Sequence, residues 1–433
     1  MRVVWLCHYF APEIGAPQAR LLELSRAFLE AGHEVAAVTC FPNHPTGELT
    51  PGDRGVRRRR DEIEGVAVHR CWSYVTPNRG FVRKSLGHLS FMLSGFGGLR
   101  RAAREGRPDV VVVSSPTFFS VFTAWLWCAP RGVPWVFEVR DLWPGIFVEL
   151  GVLRNRLLVW LLERAELFLY RRATRVVTVT RAFAEDIARR GVPREKLAVV
   201  TNGVDLDRFA PRPHSDRLAR QAGLEGKFVV LYLGAHGISH ALARVLDAAE
   251  LLRDLPDLRF VLVGEGAEKE ALVADARRRG LANVAFHPGV PKEEVPDWYR
   301  LAHVGLVPLR DVPLFRTFIP SKMFELMAAG VPIVASVDGE AREILVRGRC
   351  ARVVDPEDAR AVAREVRALQ ADPELRAKLG AAGRAFAIAN YDRRELARDY
   401  LRLLGELAGE AEGDGDEDDG LPFETGEIAE GGA

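Results

Sequence analysis

Hydrophobic residues in this chain fall into short unbroken runs rather than alternating positions. Arg2–Cys7, Glu34–Thr39, Val110–Val113, Trp135–Val139 and Arg175–Val179 are such runs in the first half. Phe228–Leu233, Arg259–Val263, Val284–Phe286, Gly305–Val307 and Ile333–Ala335 are their counterparts in the second. Runs this short with no polar face predict strands buried on both sides, as in parallel sheets. A loop with Pro12 and Gly15 follows the first run, and a helix is predicted from about Ala19 to Ala31. Gly234-Ala235-His236-Gly237 follows Phe228–Leu233 in the same way, ahead of a predicted helix from about Ala241 to Leu252. Strand, glycine loop, helix, strand is the signature of a parallel βαβ unit. The pattern predicts an α/β fold of two doubly wound, Rossmann-like parallel-sheet domains, residues 1–204 and 227–384, whose strand ends face a central cleft. Residues 205–226 read as a linker, in which the Asp205 and Asp207 pair suits two solvated turn carboxylates better than a metal site. Residues 385–408 read as a final amphipathic helix, free to cross back to the first domain.

Composition supports two filled cores, since 48% of 433 residues are hydrophobic. The five cysteines are scattered without a CxxC pair, so neither a disulfide frame nor a zinc site is expected, and a reducing, cytoplasmic home fits. The short apolar run at Met1–His8 does not read as a signal peptide. The net charge of +1 conceals a division. Residues 406–433 hold eleven acids and no Lys or Arg, leaving +12 on the rest. The tail, 409–433, has almost nothing to bury and is expected to be disordered. The basic excess gathers between residues 54 and 107. Arg83 and Lys84 precede a soft apolar stretch, Leu86 to Leu99, and Arg100, Arg101 and Arg104 follow it. Such a segment, 83–104, suits an anionic membrane surface. It also suits a core helix with solvated basic ends, and it is too short and too rich in Gly and Ser for a spanning helix. No nucleic-acid recognition motif accompanies the patch.

The candidate chemistry centres on Pro320-Ser321-Lys322-Met323-Phe324-Glu325. A helix starting after Pro320 presents unpaired backbone N–H groups, and with Ser321 and Lys322 beside them it makes an anion site suited to phosphate. Glu325, one turn on beside an apolar face, needs hydrogen-bond donors, which a ribose diol supplies. An ordinary buried helix whose Glu caps its own first turn fits the same residues. Arg316 lies in a loop that could fold back over the helix start, and with Lys322 it could neutralise a diphosphate without a metal. Arg140 and Asp141, at the carboxyl end of a strand, would face the cleft. Gly264-Glu265-Gly266 looks like a dinucleotide fingerprint, but Lys269 stands where the third glycine belongs, so hydride transfer is a poor match. No zincin spacing, nucleophile elbow or Walker loop occurs, and no metal or other cofactor is expected.

Several segments in this order carry a resemblance. They are Val199-Val-Thr-Asn-Gly-Val-Asp-Leu-Asp-Arg-Phe209, Leu262-Val-Gly-Glu-Gly-Ala-Glu268, Phe286-His-Pro-Gly-Val290 and Phe324-Glu-Leu-Met-Ala-Ala-Gly-Val-Pro-Ile-Val-Ala-Ser336. The chain resembles the group 1 (family 4) glycosyltransferases, which have the GT-B fold and retain anomeric configuration. Val139-Arg-Asp-Leu-Trp-Pro144 and Ile319-Pro-Ser-Lys-Met-Phe-Glu325 look closest to the L-fucosamine transferase-like enzymes of bacterial surface-polysaccharide assembly. The resemblance implies Gly15 near the donor diphosphate, Glu325 on the ribose, and the backbone from Thr317 to Ser321 facing donor sugar and phosphates. It also implies that His287 and Gly264–Gly266 line the base. Three positions depart from the family: Thr317 for a glutamate, Gly234 to His240 for an Arg and a Lys, and Arg140 for a cleft histidine. Lys322 and Arg316 are expected to take over phosphate neutralisation, with His236 and His240 as lesser candidates. The expected activity is transfer of a sugar from a nucleotide-sugar donor, UDP-linked, to a lipid-linked or glycan acceptor, by a peripheral protein on the inner face of the plasma membrane. The alternatives are a UDP-N-acetylglucosamine 2-epimerase-like enzyme and a non-catalytic nucleotide-sugar binding partner.

Overall fold

The computed structural model describes residues 1–409 except 14, 44–46, 77–80, 116, 117, 150 and 152, and leaves the side chains at 16, 17, 81, 82 and 84 undescribed. The acidic tail from residue 410 onward thus lies outside the described residues. The first sheet comprises β1 (Arg2–Leu6), β2 (Glu34–Cys40), β3 (Arg58–Ile63), β4 (Val66–Cys71), β5 (Val110–Ser114), β6 (Trp135–Val139), β7 (Arg175–Thr178) and β8 (Leu197–Val199). Its order is β3-β4-β2-β1-β5-β6-β7-β8. All neighbours run parallel except β3, which is antiparallel to β4. The second sheet comprises β9 (Phe228–Leu233), β10 (Leu258–Val263), β11 (Val284–His287), β12 (Val304–Pro308), β13 (Ile333–Ser336) and β14 (Ala351–Val354). It is wholly parallel, in the order β11-β10-β9-β12-β13-β14. In both sheets the order in which strands are added reverses beside the first strand, so the loops after β1 and β9 open at switch points, where ligands bind in such folds.

The predicted strands match to within a residue or two. The β3–β4 hairpin was absent from that reading, because its first strand is the arginine run Arg57–Arg60, which reads as a solvated basic patch. The run lies at the sheet edge, where charge discourages further strand pairing. There Arg59 pairs with Asp53 and Asp61, and Arg60 with Glu105 at 3.0 Å. The predicted final helix is two helices, Pro373–Asn390 and Arg393–Ala408. Tyr391 ends the first, and Asp392 caps the second by accepting from the Arg394 N–H at 2.9 Å.

The last helix leaves the second domain and packs on the first. Ala397, Tyr400 and Leu404 join Val3, Trp5, Leu21, Leu24 and Phe28 in one core cluster. The Tyr400 ring meets Trp5 and Phe28, each at 6.2 Å between centroids. The chain thus crosses between domains twice, and the crossings lie side by side: Val204 bridges Asp392, and the Val204 N–H donates to the Tyr391 carbonyl at 2.9 Å.

Segment 83–104 lies in the helix Phe81–Glu105. Phe91, Leu99 and Ala102 are fully buried against the sheet, whereas Leu86 and Leu93 face outward. Gly98 lets the helix approach closely, since a Cβ there would lie 2.4 Å from the Val38 side chain. One face of the apolar stretch is therefore core. Among the described residues no helix is long and apolar enough to cross a membrane.

Truncation of Tyr400 tests the docking of the last helix. Tyr400→Ala empties a fully buried ring site and should cost about 3–5 kcal/mol of stability in urea unfolding. A loss under about 1 kcal/mol would mean that the helix does not complete the first domain's core.

Candidate functional site

The cleft between the two sheets encloses about 670 Å³. From the first domain it is lined by Gly15, Gln18, Arg20, Glu23 and Arg140, and from the second by Gly234, Ala235, Ser321, Lys322 and Glu325. The sequence candidates Gly15, Arg140, Gly234, Ser321, Lys322 and Glu325 therefore converge.

The helix Ser321–Ala328 starts after Pro320 with no side chain capping its first N–H groups. Met323, Phe324, Leu326 and Met327 fill the core behind it, which fixes the helix and points its amino end at the cleft. The Lys322 ammonium lies 3.7 Å from the centre of the Tyr232 ring. It is buried and has no hydrogen-bond partner among the described residues. Burial lowers its pKa to about 7, partly opposed by the Glu325 charge. Gly234 is what admits this lysine: its φ is +146°, and a Cβ there would sit 2.7 Å from the ammonium nitrogen. One Glu325 carboxylate oxygen accepts from the buried Tyr299 hydroxyl at 2.7 Å. That hydrogen bond orients the carboxylate toward the cleft, and Glu325 does not cap its own helix.

Arg140 faces Lys322's side of the cleft from the other domain. Its backbone N–H donates to the Ser115 hydroxyl at 2.8 Å, and its Nη1 is buried without a partner among the described residues. Other cations at the cleft are already engaged. Arg20 bonds Glu138 and three groups at 200–202, Lys292 bonds Glu23 at 2.6 Å, and Arg208 pairs with Glu293. Unpaired positive charge therefore enters from both walls, through Arg140 and Lys322.

Other candidates lie elsewhere. Arg316 does not line the cleft; its guanidinium bonds Asp338 at 3.1 Å and pairs with Asp311 at 3.6 Å. Its turn, Pro313–Thr317, is committed to joining the domains. Leu314 and Phe318 pack on the first domain's core, with Phe318 against Phe183 at 5.9 Å. Thr317 donates its hydroxyl to the Leu314 carbonyl at 2.6 Å and also stays off the lining. Asp141 sits beside Arg140 but outside the lining; burial raises its pKa to about 6 against the pull of Arg140. Gly264 serves loop packing, because a Cβ there would lie 1.8 Å from the Gly234 oxygen. Glu265 is exposed and bonds Lys269 at 2.8 Å, Gly266 packs under the His236 backbone, and His287 rests against Trp298 at 4.9 Å. His236 is fully buried, with both ring nitrogens unpartnered among the described residues, and burial lowers its pKa to about 4. His240 is lowered to about 3, first by burial and then by Lys322. Both rings are neutral near pH 7, so neither supplies the missing cation.

Sequence reasoning passed over Arg20, Glu23, Glu138 and Tyr299. Glu138 left a trace: a carboxylate in the otherwise apolar run Trp135–Val139 must find a partner. Arg20 is that partner, 3.1 Å away. Among the described residues no group of three His, Cys, Asp or Glu is placed to hold a metal.

Known proteins match this chain across both domains. The family described as "Glycosyl transferase 4-like domain" matches residues 15–203, and "Glycosyl transferases group 1" matches residues 215–386. A glycosyl transferase of Escherichia coli (strain K12) named for colanic acid biosynthesis, WcaI, is 28% identical over 74% of this chain and 79% of its own length. A GDP-mannose-dependent α-(1-6)-phosphatidylinositol monomannoside mannosyltransferase of Mycolicibacterium smegmatis is 35% identical over 49% of this chain and 57% of its own. The structure of Anabaena Alr3699/HepE in complex with UDP-glucose superposes with a TM-score of 0.70 at 17% identity, covering 94% of this chain and all of that one.

The buried ammonium makes a pH-dependent prediction that needs no ligand. Below pH 7 the fold carries an unpaired buried charge, and above it the folded state binds fewer protons than the unfolded state. Lys322→Met should therefore stabilise the protein most at pH 6. The advantage should shrink by about 1.4 kcal/mol per pH unit between pH 7 and 10, read from urea unfolding. A difference independent of pH would show that the lysine is not held in this environment.

Proposed function

Because the chain belongs to the group 1 glycosyltransferases and has their GT-B architecture, we propose that it moves a sugar from a UDP-linked donor to a lipid-linked or glycan acceptor, with retention of anomeric configuration, in surface-polysaccharide assembly. The observation that carries this reading is the Lys322 ammonium, without a hydrogen-bond partner among the described residues, beside an uncapped helix start in the interdomain cleft. A diphosphate matches it in charge and hydrogen bonding. Bound there, it would return Lys322 to the charged state and satisfy the first N–H groups of Ser321–Ala328.

The chemistry follows from that placement. The bond from the anomeric carbon to the leaving diphosphate oxygen breaks, and the acceptor oxygen bonds the same carbon from the same face. The acceptor proton passes to a phosphate oxygen of the leaving group. Negative charge grows on the diphosphate during this step, so Lys322 and the helix start bind it more tightly at the transition state than before it. Arg140 stands on the acceptor wall, where it can hold a phosphate or an acceptor hydroxyl. Glu325, oriented by Tyr299, receives the ribose diol on its remaining oxygen. No metal is required in this scheme.

The relation to the colanic acid enzyme supports a polysaccharide acceptor, and the UDP-glucose complex of the Anabaena protein supports uridine. The mycobacterial relative's GDP-mannose favours guanosine as the alternative donor. The acceptor reading places the protein at the cytoplasmic face of the plasma membrane, where the outward stripe of 83–104 would meet anionic lipid.

Binding and turnover measurements test the proposal. Glu325→Ala should weaken UDP binding by about 2–3 kcal/mol in calorimetry, because charge-assisted hydrogen bonds to the ribose disappear; unchanged affinity in the folded variant would remove the ribose assignment. Lys322→Ala should lower turnover more than donor affinity, and activity should survive EDTA. Strict dependence on magnesium or manganese would defeat the metal-free scheme. Affinity for a UDP-sugar, whose diphosphate charge is constant over this range, should be flat below pH 7. Above pH 7 it should fall by up to about tenfold per unit, since the binding form of Lys322 is the protonated one. Incubation of donor alone, read by mass spectrometry and NMR, separates transfer from epimerisation.

A further inference from the structure

The helix Arg156–Arg172, which joins β6 to β7, is apolar on two faces. Its inner face is ordinary core: Leu169 and Tyr170 are fully buried. Tyr170 donates to the buried Glu166 carboxylate at 2.8 Å, and Arg190 closes that pair at 2.5 Å. The outer face should then be polar, as on any surface helix. Instead Leu157, Trp160, Leu161 and Phe168 lie on it, exposed by 65, 50, 50 and 36%. Residues 157, 161, 164 and 168 recur at helical spacing, so the side chains form one continuous stripe.

The cations on this stripe are arranged around the apolar residues. The Arg164 guanidinium lies 5.5 Å from the Trp160 ring centre, and that of Arg172 lies 5.3 Å from the Phe168 ring. Arg171 opens on the same side. Arg154 and Arg156 flank the amino end and are exposed. None of these five forms an ion pair among the described residues. Glu163, the only acid exposed on the helix, lies toward its flank. Unpaired arginines stacked on exposed aromatic rings match a surface that is apolar below and anionic above. A protein partner would need acids to pair with each of them and a hydrophobic groove as well; a bilayer supplies both without further design.

We propose that the outward face of Arg156–Arg172 docks the protein on an anionic lipid bilayer, with Leu157, Trp160 and Leu161 at the headgroup boundary and the arginines on lipid phosphates. The helix follows the short helix Gly145–Glu149, which comes after the carboxyl end of β6, and runs back toward the start of β7. Its apolar first turns therefore lie on the side of the sheet toward which the strands' carboxyl ends point, and Val148, just ahead of them in the chain, is also exposed. Docked in this way, the acceptor wall opens at the membrane surface. That orientation rests on the glycosyltransferase reading; the docking itself does not. Among the described residues the stripe on Phe81–Glu105 offers only Leu86 and Leu93 as exposed large apolar side chains, so it is the lesser contact.

Sedimentation of the full chain with phosphatidylcholine vesicles containing about a third phosphatidylglycerol tests this. Trp160→Glu with Leu161→Glu should reduce partitioning at least tenfold, and Arg164→Glu with Arg171→Glu and Arg172→Glu about a hundredfold or more, at roughly 1 kcal/mol per cation. Leu86→Glu with Leu93→Glu should change it less than threefold. High salt should act in the same direction as the arginine reversals. All these sites are exposed, so circular dichroism melts should match wild type, and transfer to a water-soluble acceptor analogue should stay within twofold. Vesicle binding lost in the helix variants would uphold the docking surface even if the wild type transferred no sugar, which would sink the function alone. Binding untouched by the Trp160 and Leu161 changes, or absent in wild type, would overturn the proposal. So would a wild-type dimer that the same changes convert to monomer, because the stripe would then be a protein interface.

Discussion

The buried ion pair of Arg20 with Glu138 fixes the frame on which the cleft is built. Glu138 is fully buried at the end of β6, and its partner arrives from the helix Ala16–Glu30. Arg20 spends its remaining hydrogens on the carbonyls of Val200 and Thr201 and on the Asn202 side chain. One guanidinium thus ties the first helix, the middle of the first sheet and the segment leaving for the second domain. Removing either partner of such a pair strands a charge in low dielectric, at about 3–5 kcal/mol. One turn along the same helix, Glu23 takes Lys292 from the second domain and Arg393 from the returning chain. On the other side of the cleft, Glu340 of the second domain accepts from the N–H groups of Arg181 and Ala182 at 2.9 and 2.8 Å. That contact caps a first-domain helix with a second-domain carboxylate, which the positive end of the helix dipole favours.

With its walls held this way, the cleft can maintain what water would otherwise neutralise. Among the described residues, Lys322 and Arg140 keep buried donors without partners, a state that costs free energy in the empty protein. The cost is offset by the well-filled cores behind each residue and would be recovered by an anion bound as proposed. On the proposed function the site is prepared before binding, and a diphosphate would complete hydrogen bonds instead of rearranging side chains.

The sequence was most legible where one residue answers one demand. The strand runs, Gly234 at the switch-point loop, and Ser321, Lys322 and Glu325 at a helix start were all readable because backbone geometry alone sets their direction. Residues whose role depends on a distant partner were not. Arg316 read as a free cation, but the bonds to Asp311 and Asp338 and the packing of its turn on Phe183 engage it elsewhere. Gly264 read as part of a nucleotide loop, although the carbonyl of Gly234 is what excludes a side chain there. Segment 83–104 showed its period faithfully, yet period alone does not say which face meets the sheet. The helix Arg156–Arg172 escaped notice for the opposite reason: with apolar residues all round, it reads as interior until accessibility separates the two faces.

The paired crossings at Val204 and Asp392 also set an order of events in biosynthesis. The first domain is synthesised without Ala397, Tyr400 and Leu404, which close the core over Trp5 and Phe28. It therefore emerges from the ribosome with an open apolar face and stays incomplete until the whole second domain has been made. The second domain is in effect an insertion within the first, and its folding brings the closing segment home. Nascent chains of this topology present that open face to chaperones for the duration of nearly two hundred residues of translation.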